Sequence, residues 1–367
     1  MARGAIKKKE FSLVDYKKNK GYDQTVKFKP RTWIPITNVL GNSAFSDATG
    51  LKGIPKGECI QIMGHTDTSK STLLLETAYS CQKNNVLPVF VITELKFAWE
   101  HLKMMGIEFD EIIDEDTGEV SYEGNFLFID RSKFNTIEEM GKEINKILDD
   151  QEKGDLPVDL CFLIDSIGGL QSDMSYNKSS SNNEWDAGAI SRVFGKSLMP
   201  RINLSKKDTH KFTNTLVVIT QVWVRKPDSP VAKPRLASKG GDTIPFNSTL
   251  QIRFGNVTNS GTNKLKVKKN GKDVIYANRT RVTIEKNHVN GISTAAKLIT
   301  TPHGFIEDND KKAKEYFTKY SDMFLDILGG GDVNDVVFFE EGSDEEDTKL
   351  IDYEIKQDGS VEIRDEE

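Results

Sequence analysis

Gly64-His65-Thr66-Asp67-Thr68-Ser69-Lys70-Ser71-Thr72 stands between a short apolar run, Cys59-Ile60-Gln61-Ile62-Met63, and a segment with helical spacing, Leu73-Leu74-Leu75-Glu76-Thr77-Ala78-Tyr79. Strand, glycine-initiated loop and helix in that order make a phosphate-binding loop, because backbone N–H groups at the helix N-terminus converge on an anion. Lys70 is placed to reach the outer phosphates and Ser71 to ligate Mg²⁺. One residue departs from the pattern. Ser69 stands where the second glycine normally sits, so a left-handed backbone there costs about 1–2 kcal/mol. That strain is tolerable, and a nucleotide with Mg²⁺ is the expected ligand.

The chain has 367 residues, 37% of them hydrophobic, enough for one large domain with appendages or for two domains. Its apolar runs fall short of the roughly 18 residues that a membrane span needs, and Lys7-Lys8-Lys9 has no apolar signal core behind it. A cytosolic protein is expected. Cys59, Cys81 and Cys161 have no metal spacing and lie in apolar segments, which predicts core packing in a reducing compartment. Charge is unevenly placed around the net −6: residues 1–32 hold ten Lys or Arg against three acids, and residues 331–367 hold fifteen acids against three bases. Such ends are either solvated tails or, for the acidic one, a competitor of a polyanion for a basic surface.

Continuous apolar runs at Leu87–Ile92, Phe126–Ile129, Leu160–Ile164 and Thr215–Thr220, separated by helical stretches such as Thr136–Leu148, predict an α/β fold with a mostly parallel sheet covered on both faces. Leu250–Phe254 and Thr280–Glu285 alternate more regularly and are expected to extend that sheet as antiparallel strands. The core is expected to end near Ile306, followed by one charged helix, Asp310–Leu328, and Gly329-Gly330-Gly331 before the acidic tail.

Two carboxylates complete a candidate site. Asp165 ends the strand Leu160–Ile164, and ligands collect outside the carboxyl ends of such strands, so Asp165 can hold the metal through water. Glu94 follows the strand ending at Ile92 and is placed to orient and deprotonate the water that attacks the γ-phosphate.

The order of Gly64–Thr72, Glu94 with Gly106, Asp165-Ser166, Thr220-Gln221, Gly240-Gly241 and Glu285-Lys286-Asn287 resembles the RecA family of strand-exchange ATPases over about residues 33–306, most closely its phage UvsX-type branch. In that branch the residue before the loop lysine is not always glycine. The resemblance implies a RecA-like P-loop ATPase core (residues 33–306), a basic N-terminal arm (1–32) docking on the adjacent protomer, a C-terminal helix (307–330) and an acidic tail (331–367). It implies that Lys70 and Ser71 bind phosphate and magnesium, that Glu94 is the catalytic glutamate, and that Asp165 is the second metal-associated carboxylate. Gln221 matches the glutamine that senses the γ-phosphate and starts the second DNA-binding loop, and Lys286 matches a lysine that reaches the neighbouring subunit's ATP. His288 falls where a second such lysine often lies, which leaves that contact open. Trp99 and His101 lie near the adenine-contacting region. Both ends are too short for the larger terminal domains of some members.

The loops agree. Between Gln221 and Gly240 lie Trp223, Arg225, Lys226, Lys233, Arg235 and Lys239 with three prolines and no regular pattern, and Gly241 follows. Gly168–Asn183 is rich in Ser and Asn, and the helix after it carries Arg192, Lys196 and Arg201 toward one side. Both segments suit a polyanion, with Trp223 expected to pack rather than to stack on a base. In the arm, Phe11–Val14 and Val26–Phe28 are expected to act as a strand or anchor. The reading is an ATP-dependent, phage-encoded recombinase in host cytoplasm. It would form helical filaments on single-stranded DNA, take up homologous duplex, and work beside mediator and single-strand-binding proteins. A non-hydrolysing filament scaffold, and a ring-forming helicase-type ATPase using Arg279 or Arg281 as a finger, are the alternatives.

Overall fold

The computed structural model describes residues 11–21, 27–94, 98–178, 183–225, 235–238, 241–257, 263–330, 335–338, 352–355 and 361–364. The chain enters through α1 (Leu13–Lys20), then pairs β1 (Trp33–Ile34) with β2 (Ile54–Pro55) around α2 (Ala44–Thr49). β3 (Cys59–Gly64), α3 (Lys70–Lys83), β4 (Val86–Ile92) and α4 (Trp99–Met104) follow. A hairpin, β5 (Phe109–Ile113) with β6 (Val120–Gly124), precedes β7 (Leu127–Ile129), α5 (Ile137–Lys153) and β8 (Asp159–Asp165). α6 (Asp173–Asn177) comes next, and α7 (Asn183–Ile190) runs through a π-helical stretch, Ser191–Leu198, into α8 (Met199–Leu204). β9 (Thr215–Arg225), β10 (Arg235–Ser238), α9 (Thr243–Asn247), β11 (Leu250–Gly255), β12 (Lys264–Lys269), β13 (Lys272–Asn287), β14 (Ala295–Thr301) and β15 (Gly304–Glu307) complete most of the sheet. α10 (Asp310–Lys319) and α11 (Ser321–Leu328) pack against the β12–β13 end of the sheet, where β16 (Val337–Phe338) adds a further strand beside β12. β17 (Asp352–Ile355) and β18 (Val361–Arg364) pair with each other.

The sheet runs β15-β14-β13-β11-β3-β9-β8-β4-β7, the strands from β11 to β7 being mutually parallel. Alternation along β8 shows why its sequence is apolar throughout: Cys161 and Leu163 enter one core with α3, while Leu160, Phe162 and Ile164 enter the other with α5 and α8. α5 buries Ile137, Met140, Ile144 and Leu148, one stripe at helical spacing, and Thr136 caps it by accepting the Glu139 N–H. The three cysteines are buried, and burial raises the Cys59 and Cys81 thiols, as core residues should.

Four expectations need correction. β11 is parallel to β3 (Ile252 opposite Ile62) and antiparallel only to β13; its alternation reports one buried face, not a direction. The helix expected over 310–328 is two, because Tyr320 leaves helical geometry and stacks on His303 at 4.2 Å. Packing continues past Ile306: Phe317, Phe324, Leu328 and Val336 share a third apolar cluster with Val267, Tyr276 and Ile299. Phe11–Val14 forms the start of an exposed helix rather than a strand, with no buried residue in α1. Of the second arm cluster, Val26 lies outside the described residues, and Phe28 bridges to Lys207. No helix among the described residues is long and apolar enough to cross a membrane.

Candidate nucleotide and DNA site

Strand register brings the predicted site together. Gly64 lies opposite Gln221, and Ile92 opposite Asp165, so the loop, Glu94, Asp165 and Gln221 share the carboxyl edge of the sheet. Gly64 must be glycine: a Cβ there would lie 2.4 Å from the Phe254 carbonyl oxygen on β11. Asp67 and Ser69 both take left-handed backbone, with φ of 59° and 71°. The strain anticipated at Ser69 is therefore present, and it is offset locally, since Thr300 Oγ1 donates to Ser69 Oγ at 2.7 Å. Ser69→Gly is expected to change stability by less than about 1 kcal/mol, lost strain balancing the lost bond, with turnover within about twofold. Urea unfolding and phosphate release check this, and a many-fold rise in turnover would show that Ser69 holds the loop in an inferior shape.

Thr68 Oγ1 donates to the His65 carbonyl at 2.8 Å, and Lys70 Nζ donates to the same oxygen. Burial holds the Lys70 ammonium below its ordinary pKa, opposed by the neighbouring carboxylates of Asp165, Asp67 and Glu94. Burial, then the charges of Lys70 and Arg253, lower His65 in the same way. Thr66 is exposed, and Thr72 is buried in the first turn of α3. Ser71 Oγ donates to Asp165 Oδ2 at 2.8 Å, and burial raises the Asp165 pKa against that bond. Glu94 Oε1 accepts from Ser166 Oγ at 3.0 Å. The sequence reading quoted Ser166 without giving it a role; its position directly after Asp165 is the only signal it leaves.

Other predicted residues take different places. Gln221 is exposed and beside the Ser166–Gly168 turn, but it does not end its strand. β9 continues to Arg225 and turns back as β10, pairing Trp223 with Ala237, so the expected irregular loop is partly a hairpin built on Val222 and Val224. Trp223 is 44% exposed rather than packed. Arg225 and Arg235 are register partners; Lys226, Lys233, Lys239 and Gly240 lie outside the described residues, and Gly241 begins the turn into α9. Lys196 is exposed, but Arg192 pairs with Glu138 at 2.9 Å, and Arg201 with Asp149 and Glu152, each at 2.8 Å, on α5. Those two guanidiniums are engaged within the chain, which corrects their grouping as one free basic face. Trp99 stacks on Tyr122 of the β5–β6 hairpin at 4.1 Å, and burial lowers the His101 pKa. Arg279 is buried against Asp308 and Asp310, which removes it as an arginine finger.

Lys286 Nζ donates to the Pro245 and Phe246 carbonyls at 3.0 and 2.8 Å, and His288 is exposed just past β13. Phe246, which sequence reading missed, is 81% exposed beside Lys286.

A family model described as the RecA N-terminal domain matches residues 8–137. Protein RecA of Streptomyces venezuelae is 24% identical over 96% of this chain and 85% of its own length. Protein RecA of Ureaplasma parvum is 25% identical over 67% of this chain and 62% of its own, and that of Francisella philomiragia is 35% identical over a shorter stretch, 23% of this chain and 24% of its own. The chain is similar to RecA proteins over most of its length. The loop and first carboxylate that define the site fall inside the matched region.

Proposed function

We propose that this RecA-like chain forms helical filaments on single-stranded DNA and catalyses homologous pairing and strand exchange, and that it belongs to the phage UvsX-type branch. The observation that supports the chemistry is the convergence of Lys70, the Ser71–Asp165 pair and the Glu94–Ser166 pair on one sheet edge. In this reading the loop backbone and Lys70 hold the ATP phosphates, and Glu94, oriented by Ser166, takes a proton from the attacking water. Ser71 and Asp165 present the hydroxyl and carboxylate oxygens that suit Mg²⁺, which is held by one or two carboxylates, waters and phosphates rather than an all-protein cage. When bound there it would neutralise phosphate charge.

Gln221, one strand from Gly64, couples that edge to the β9–β10 hairpin, where exposed Trp223 offers a surface for base stacking. Lys286 and exposed Phe246 form a contact face for the next protomer. ATP hydrolysis measured with and without single-stranded DNA over a salt series tests the proposal. We expect strong stimulation whose underlying affinity falls with a log–log salt slope of about −0.7 per neutralised phosphate, and filaments by negative-stain microscopy. Turnover indifferent to DNA, or closed rings, would remove the recombinase reading.

A further inference from the structure

Glu76 sits on the phosphate-loop helix, six residues after Lys70, and is 1% exposed. A carboxylate in an apolar helix face is costly to bury, so its hydrogen bonds matter. Its Oε1 accepts the backbone N–H of Phe305 at 2.7 Å and Asn38 Nδ2 at 2.8 Å. Asn38, 2% exposed, also donates from Nδ2 to the Phe305 carbonyl at 2.7 Å. Both backbone groups of Phe305 are thereby held from outside the sheet.

Phe305 is the register partner of Thr300 across the β14–β15 hairpin, and Thr300 is the residue that donates to Ser69. The contacts close a circuit: Ser69, along α3 to Glu76, across to Phe305, over the ladder to Thr300, and back to Ser69. The hairpin turn fits against the carboxylate only as glycine, because a Cβ on Gly304, whose φ is +115°, would lie 2.5 Å from Glu76 Oε1.

We infer that Glu76 is a positioning residue for nucleotide binding: through Phe305 and Thr300 it holds Ser69 in the left-handed conformation from which Lys70 addresses the phosphates. The inference rests on the reading of Gly64–Thr72 as the nucleotide site. Asn38 keeps the carboxylate in line, and the hairpin acts as a splint across the start of α3.

The test is calorimetric titration of the full chain with Mg-ADP, without DNA, for the native protein, Glu76→Gln, Glu76→Ala, Thr300→Val and the Glu76→Ala/Thr300→Val double variant. Gln retains the accepting Oε1, so Glu76→Gln should bind within about twofold of native. Glu76→Ala and Thr300→Val should each weaken binding about tenfold, and the double variant should bind no worse than the weaker single one, since both break one circuit. A purely structural Glu76 would lower the unfolding temperature while folded Glu76→Ala binds as native, and that result overturns the inference. So do additive losses, which would place the two residues on separate routes. If Glu76→Ala fails to fold, half-buried Thr300→Val decides alone, native-like binding counting against the circuit. A native chain that binds no Mg-ADP, with Lys70→Ala no different, overturns the nucleotide reading itself and this inference with it.

Discussion

Glu94→Gln is expected to lower the turnover number for ATP hydrolysis by at least about 100-fold, the span of a lost general base, while Mg-ADP affinity stays within about threefold of native. Gln has the shape of Glu and an oxygen that can still accept the Ser166 hydroxyl, so the local geometry at the end of β4 survives. What it lacks is the ability to take a proton. Affinity depends on different groups: the loop backbone, Lys70 and the Ser71–Asp165 pair. Removing a negative charge from beside Lys70 also lessens repulsion of phosphate, so binding has no reason to weaken. Phosphate release at saturating single-stranded DNA, with calorimetry in parallel, separates the two quantities. Residual turnover above about a tenth of native would place the base elsewhere; joint loss of binding and turnover would make Glu94 a binding residue.

The parts of this site that sequence made legible are those whose physics is local. A buried strand, a loop that starts with glycine and a helix beginning at Lys70 announce an anion site within some fifteen residues, and the strand-ending positions of Glu94 and Asp165 follow from the general geometry of parallel sheets. What escaped depends on partners far away in the chain. Ser69 looked like a flaw because its compensating bond comes from Thr300, 231 residues on. Arg192 and Arg201 read as a free basic face because their carboxylate partners sit on α5, several elements and many residues earlier. The direction of β11 was hidden for another reason: alternation encodes which face is buried, and a strand parallel to one neighbour and antiparallel to the other has the same pattern as a wholly antiparallel one. Trp223 was expected to pack because large aromatics usually do; continuation of β9 beyond Gln221 carries it past the covered part of the sheet instead.

Glu76→Gln should also remove most of a pH dependence from folding stability. Burial pushes the Glu76 carboxyl up to about 7 from its ordinary 4.5, against the Phe305 and Asn38 hydrogen bonds that pull it down. Because the folded-state pKa is raised, the native chain holds a proton that the unfolded chain releases between those two values. Stability from this group is therefore greatest at or below about pH 4.5 and declines as pH rises to about 7, above which the full penalty persists. Moving the carboxyl from 4.5 to about 7 makes that penalty about 3 kcal/mol. Gln does not titrate, so the stability of Glu76→Gln relative to native should improve by about that amount between pH 4 and pH 8, whatever its offset at pH 4. Urea unfolding of both proteins at several pH values reads this difference directly and cancels the contributions of every other titrating group. A constant difference across that range would mean that the carboxylate is solvated enough to ionise normally, and the circuit from Ser69 through Phe305 would then have to hold without a desolvated acceptor at its centre.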